Sequence, residues 1–414
     1  MIESIKHLYR FRRNLSFKGL FNAVRFFVPI KNISTVDILF ACHDNSRTVF
    51  YDGKYYSPLI DSLIIKLQDY TSLTLALPFS RYSGEKTGGN TINLNLYILE
   101  ALLKRFLSSG SIELKNISND PLIKFYSRLY KKLNLKIIIA IQPSIEMCIA
   151  AKMNKIKVMD VQHGIIETDK PRSYYSFQRR EKYDNIGWPD FILCRNYYSY
   201  NKVSALKNYT KPFFVGNLTL DFYQNNYTVK KKSDFYKNKK ETILYTFQPT
   251  YPSTFSEKNI CEGIIFPKEL HKIILKSKYN FILKLHPSQI RNKNLYRLHM
   301  EAFKKLFQDN KNVDFQTCNQ KPLEYSLANS SLHITYNSAS LFDAFDFGLK
   351  TILLDNNIKR IKQYFDEFLD NGYAIIDPKL EIGFEKYLNC IEENNKSKVL
   401  DNSIIYEFIS QNIK

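Results

Sequence analysis

The sequence predicts an α/β protein built from two doubly wound, Rossmann-like domains that face one another across a cleft. Three observations predict it. The chain has 414 residues, more than the roughly 250 to 300 at which one hydrophobic core splits into domains. Short apolar runs alternate with longer amphipathic ones, the pattern of βαβ units and a mostly parallel sheet. The alternation breaks once, at the lysine-rich run KKKSDFYKNKK (230–240), and then restarts. A domain boundary is therefore expected near residue 232. It separates a basic amphipathic segment (1–30) and a first domain (31–232) from a second domain (233–414).

Taken in order, the strands expected in the first half are VDILFA (36–41), LTLALPF (73–79), KIIIAI (136–141), KVMDV (157–161), FILC (191–194) and FFVG (213–216). Helical stretches are expected around 59–69, 92–108, 121–133, 144–154 and 197–208. The second half repeats the scheme with TILYTF (242–247), NFILKLH (280–286), VDFQ (313–316), LHITY (332–336) and KTILLD (350–355). Its helices are expected near 261–276, 291–308, 321–329 and 338–347. In open α/β sheets ligands bind outside the carboxyl ends of the strands. Two such domains therefore make a cleft suited to two substrates.

Composition limits the function classes. Hydrophobic residues at 44% and charged ones at 24% describe a folded protein that buries large cores. The six cysteines have no CxxC pair or metal-ligand spacing, which fits a reducing cytoplasm. No apolar run reaches the roughly 18 residues needed to span a bilayer, and MIESIKHLYRFRRN lacks the apolar core of a signal peptide. A net charge of +20 attracts anions. No zinc finger or RNA-binding signature accompanies it, so nucleic acid is not the expected partner. The segment 5–31 mixes Lys6, Arg10, Arg12, Arg13, Lys18 and Arg25 with leucines and phenylalanines. That is the composition of an anchor lying on an anionic membrane surface, or equally of a helix packed on the protein itself.

The unusual residues cluster directly after strands. His163 and Gly164 follow KVMDV and Gln162; Gly164 permits a tight turn that turns the imidazole outward, and histidine is the commonest general base near neutral pH. Glu167 on the loop beyond can orient that ring or act as base itself. Asp44 and Arg47, in the loop CHDNSRT, are a rival base and a clamp for an acidic acceptor group. In the second half, Gln248 and Thr250 follow TILYTF. At KLHPSQ, Pro287 drives His286 out of the helical region, with Lys284 two residues upstream on the same strand face. Asn337 and Ser338 end LHITY and open a helix through Ser340 and Asp343, where an N-cap and exposed backbone N–H groups suit a phosphate.

These motifs resemble the GT-B glycosyltransferases, above all the bacterial capsule and lipopolysaccharide enzymes that include Kdo transferases, polysialyltransferases and, more distantly, CDP-glycerol glycerophosphotransferases. The resemblance covers about the whole chain at the level of architecture. It implies that His286 and Pro287 form the HP step whose histidine contacts the donor phosphate, and that Ser338 and Ser340 are the paired hydroxyls at the same phosphate. Asp343 then stands near the nucleotide ribose, and His163 with Gly164 forms the acceptor-side HG element. The chain reads TYNSAS and VQHG where the teichoic acid enzymes read DYSS and WHG. The expectation is a cytoplasmic glycosyltransferase without metal or cofactor. It would use a CMP- or UDP-linked sugar donor and a glycan or lipid-linked glycan acceptor, with peripheral contact to the inner membrane. CDP-polyol phosphate transfer and a non-catalytic glycan- or nucleotide-binding scaffold are the alternatives.

Overall fold

The computed structural model describes residues 21, 24, 27–43, 46–47, 49–51, 53–77, 87–108, 114–164, 166, 180–206, 208–219, 222, 241–248, 266–381, 384–388 and 403–413. Most of the basic segment 1–30 lies outside them, so its amphipathic helix is not described. No helix among the described residues is long and apolar enough to cross a membrane. The chain forms two compact units, Met1–Phe222 with Leu400–Lys414, and Tyr223–Val399.

The first unit is built on strands β1 (Ile38–His43), β4 (Ser72–Leu77), β5 (Thr91–Ile92), β6 (Ile137–Ala140), β7 (Lys157–Val161), β8 (Phe191–Cys194) and β9 (Lys211–Phe214). They lie in the order β5-β4-β1-β6-β7-β8-β9, and every pair is parallel. Both faces are buried, which is why these strands read as continuous apolar runs. Along β1, Leu39 and Ala41 face one core while Ile38, Phe40 and Cys42 face the other, the period-2 alternation of a strand. Helices α2 (Asn95–Ser108), α3 (Pro121–Leu133) and α4 (Ile145–Met153) bring residues to the first core, and α1 (Pro58–Lys66) to the second. α3 begins where Asp120 accepts from Leu122 and Ile123 N–H. Asp120 also accepts from Arg105 at 2.6 Å, and Arg105 reaches Glu146 at 2.9 Å, tying α2, α3 and α4 together. α5 (Tyr197–Ser204) follows β8. A hairpin unforeseen in the sequence reading, β2 (Val49–Tyr51) with β3 (Lys54–Tyr56), follows β1.

The second unit has strands β10 (Thr242–Thr246), β11 (Asn280–Lys284), β12 (Val313–Asp314), β13 (Leu332–Thr335), β14 (Thr351–Leu353) and β15 (Ala374–Ile376). They are all parallel, in the order β12-β11-β10-β13-β14-β15. This is the doubly wound Rossmann arrangement, whose direction reverses between β10 and β13. Between and after the strands lie α6 (Lys268–Lys276), α7 (Pro287–Arg291), α8 (Lys293–Phe307), α9 (Thr317–Gln320), α10 (Leu323–Ala328), α11 (Ser340–Asp346), α12 (Ile358–Asp370) and α13 (Phe384–Leu388). Ile243, Tyr245, Phe281, Leu283 and Phe303 share one core, and Leu244, Ile282 and Leu327 the other.

The final helix, α14 (Ser403–Ile413), departs from the expectation that 233–414 is one domain. Ile405, Ile409 and Ile413 are buried in the first unit's core beside Ile38, Phe40, Ile137 and Ile139. Phe408 stacks on Phe213 and meets Phe191 edge-on, while Tyr70 donates to Ser410. An apolar stripe at helical spacing in the last residues finds its buried face there and not in the second unit.

Candidate functional site

In the second unit the residues at the strand ends are described on three sides of the switch point. Gln248 follows β10, Asn337 follows β13 and Asp355 follows β14. Gln248 Nε2 donates to Asn337 Oδ1 at 2.7 Å, and Asn337 Nδ2 donates to Asp355 Oδ2 at 2.7 Å. Arg360 forms an ion pair with that same carboxylate, and Asp355 is fully buried. Three parallel strands are thus joined at their carboxyl ends by one chain of side-chain hydrogen bonds. Gln248 and Asn337 are the residues expected after their strands, whereas Asp355 and Arg360 were not foreseen.

His286 lies beyond the strand it was expected to end. β11 stops at Lys284, and His286 caps α7. Its Nδ1 accepts the N–H of Ser288 at 3.1 Å. A neutral ring whose Nδ1 accepts carries its proton on Nε2, which makes that nitrogen a donor suited to a phosphate oxygen. The backbone of His286 is held too: its N–H donates to Gln289 Oε1 at 2.9 Å. Gln289 is buried, with Nε2 3.4 Å from His299 Nε2, and His299 Nδ1 lies 2.8 Å from Leu295 O. The carbonyl requires a proton on Nδ1 of His299, so its Nε2 accepts from Gln289. Burial lowers the His299 pKa to about 4, keeping the ring neutral. Pro287 is exposed at the first position of α7.

Lys284 and Ser340 take parts other than those expected, and Ser338 does not cap its helix. Lys284 is buried, and its ammonium donates to Cys318 O at 2.6 Å and Lys321 O at 2.5 Å. Burial pulls its pKa down. Its donors hold the 318–321 segment against β11, an internal brace where a phosphate contact was expected. The helix near 338 starts at Ser340 with Ala339 as N-cap, so Asn337 and Ser338 do not cap it. Ser338 Oγ instead accepts the Ser340 N–H at 3.2 Å. Ser340 is buried, its Oγ 2.9 Å from Thr246 Oγ1 and 3.4 Å from His333 Nε2. It points into the unit because His333, in the middle of β13, links Thr246 at 2.9 Å and Thr351 at 3.0 Å. Burial drops the His333 pKa to about 3. The one warning in the sequence is a histidine at an inward position of the apolar run LHITY. Asp343 is half-buried in the first turn of α11.

In the first unit, His163 is exposed at the end of β7 and Gly164 has φ +81°, a conformation glycine adopts without strain. Gln162 shapes this turn. It is buried, and its Nε2 donates to Gly164 O at 2.8 Å and to Ser199 Oγ at 2.7 Å, while its Oε1 accepts the Arg195 N–H at 2.7 Å. Its polar atoms are engaged internally, so it braces His163 where it was expected to contact acceptor. Arg47 is likewise interior. It is 1% exposed, with Nη2 3.4 Å from Thr91 Oγ1, and its charge stabilises the nearby Asp61 carboxylate. Burial nonetheless raises the Asp61 pKa to about 6. A guanidinium so enclosed is not placed to clamp an acceptor. Asp44, Glu167 and Thr250 lie outside the described residues. Among the described residues no group of three or more His, Cys, Asp or Glu side chains is arranged to hold a metal ion.

No protein-family profile and no curated protein sequence matches the chain. Solved structures do. S. aureus MnaA, in a co-structure with UDP, aligns over 91% of this chain and 98% of its own with TM-score 0.56 and 12% identity. The UDP-GlcNAc 2-epimerase of Methanocaldococcus jannaschii covers 92% and 100% with TM-score 0.53 and 16% identity. A ugt transferase from Siraitia grosvenorii in complex with UDP covers 91% and 100% with TM-score 0.53 and 9% identity. The chain therefore shares with these proteins a GT-B-like fold of two Rossmann-like units, each built on a parallel sheet.

Proposed function

We propose that this chain is a nucleotide-sugar-dependent glycosyltransferase of bacterial surface-polysaccharide synthesis, with the donor on the second unit and the acceptor on the first. The observation that carries this reading is the edge of the second unit. There a histidine braced on both its ring and its backbone presents an Nε2–H donor beside a hydrogen-bonded switch point. The fold supports it, since proteins of the same fold are solved with UDP. In the proposed reaction an acceptor hydroxyl attacks the anomeric carbon of the donor and the carbon–oxygen bond to phosphate breaks. The nucleotide leaves with that electron pair, and His163 takes the hydroxyl proton. His286 donates to the leaving phosphate and stabilises its developing charge. The acceptor is a glycan or lipid-linked glycan at an anionic surface, to which a net charge of +20 is attracted.

A thermal-shift panel of CMP, CDP, UDP, GDP and their sugar conjugates tests this on the full chain. A ligand that binds only the folded state raises the melting temperature by mass action. One nucleotide class is expected to stabilise the wild type, to lose that effect in His286→Ala and to keep it in His163→Ala, in which turnover falls about 100-fold or more. Equal loss of nucleotide binding in both variants overturns the division of roles. Conversion of a sugar nucleotide to its isomer without release of nucleotide overturns transfer itself.

A further inference from the structure

The hydrogen bonds at the switch point of the second unit have a fixed direction, and the direction specifies what ligand group the site accepts. Asp355 is buried and paired with Arg360, whose Nε lies 2.9 Å from Oδ2. Its Oδ1 accepts the Asn357 N–H at 2.9 Å. An ionised carboxylate only accepts, so Asn337 must turn its NH2 group towards Asp355, as it does at 2.7 Å. The Asn337 carbonyl oxygen then faces Gln248 and can only accept, which obliges Gln248 to present its own NH2 group, again at 2.7 Å. Neither amide can flip without setting acceptor against acceptor. The end of the relay is Gln248 Oε1, on a half-buried side chain two residues past the end of β10, and no described residue donates to it.

We propose that Gln248 Oε1 is a ligand acceptor at the switch point of the second unit that takes a hydrogen-bond donor from a bound nucleoside, a ribose hydroxyl or a base N–H, and that it takes no part in holding phosphate. The inference rests on the nucleotide-binding reading above and goes beyond it by assigning a polarity. A phosphate oxygen brought to Gln248 Oε1 would meet a second acceptor and be repelled. Phosphate therefore belongs with the Nε2–H donor of His286, and the nucleoside with Gln248. Asn337, Asp355 and Arg360 are positioning residues that act through the Gln248 amide.

The test is calorimetric titration of the full chain, wild type and Gln248→Leu, which keeps the side-chain volume and removes the acceptor. The ligands are CMP, CDP, UDP, GDP and inorganic pyrophosphate. For the nucleotide that binds most tightly, the 2′-deoxy, 3′-deoxy and base-N-methylated forms are added. One of these three modified forms is expected to bind the wild type about three- to tenfold more weakly than its parent, the worth of one hydrogen bond. Gln248→Leu should weaken the parent by the same factor, bind parent and modified form equally, and leave pyrophosphate binding unchanged. The form that loses affinity tells ribose from base. Nucleotide binding that is insensitive to Gln248→Leu overturns the inference alone, as does discrimination that persists in the variant. Absence of binding by any nucleotide to the wild type overturns it together with the reading on which it rests.

Discussion

His333 shows how one buried imidazole shapes an edge it does not reach. It sits in β13 between Thr351 and Thr246, and through Thr246 and Ser340 it draws the start of α11 inwards. Its ring is neutral in the fold because burial lowers its pKa from the ordinary 6.5 to about 3. The unfolded chain therefore binds the extra proton first as pH falls. Stability from this group is complete above about pH 6.5 and declines progressively towards pH 3. At pH 5 the cost is about 2 kcal/mol, since each pH unit in this window is worth about 1.4 kcal/mol. His299, lowered to about 4, works in the same direction. Asp61, raised to about 6, works in the opposite one, its contribution being present below about pH 3.8 and lost as pH rises through 6. Urea unfolding at pH 7 and pH 5 should show a smaller loss in His333→Asn than in wild type, by about 2 kcal/mol; an equal loss would remove His333 from the account. At this scale the sequence located positions better than roles. Residues after strand ends are indeed where Gln248, His286, Asn337 and His163 lie. A spacing cannot say that Lys284, Ser340, Gln162 and Arg47 turn inwards, because their partners, such as the Cys318 carbonyl and the Ser199 hydroxyl, are brought near only by folding.

Strands were the most legible elements, because a parallel sheet buried on both faces leaves uninterrupted apolar runs such as Ile137–Ala140. The elements missed have two physical causes. β5 and β15 are only two and three residues long, and β5 runs into the stretch 92–108 that reads as helix. The β2–β3 hairpin carries the Asp-Gly signal of a two-residue turn at 52–53, with Gly53 at φ +73°, but its strands have only three residues each, too few for an alternation to stand out. α14 was missed for the second: the core that its apolar face completes lies more than 300 residues earlier, as the Tyr406–Asp69 hydrogen bond records. The position of α14 makes a prediction. Ile409 is fully buried against the first unit's sheet, so Ile409→Ala should cost about 2 to 5 kcal/mol in urea unfolding. A cost within about 0.5 kcal/mol of zero, typical of a surface substitution, would mean that α14 does not complete that core.

At the scale of the whole molecule, net charge says only that anions are attracted, whereas the division of the cores says where a ligand should be felt. Each unit has its own sheet with a core on either face, so each can melt as a cooperative body. Scanning calorimetry should therefore resolve two transitions. They can be assigned by substitution: Ile409→Ala lowers the transition of the first unit, and Phe303→Ala, at a buried position of the second unit's core, lowers the other. A nucleotide held by the strand ends of the second unit then raises that transition. At a hundredfold excess over its dissociation constant the gain is about 2.7 kcal/mol, roughly 5 to 10 °C for a body of 150 to 250 residues. The first unit's transition should move little with nucleotide alone. If the shift falls on the transition that Ile409→Ala identifies, the nucleotide belongs to the first unit, and the roles of His286 and His163 must be exchanged. If both transitions rise together, or one transition responds to both substitutions, the units share their stability and donor binding cannot be assigned to the second alone.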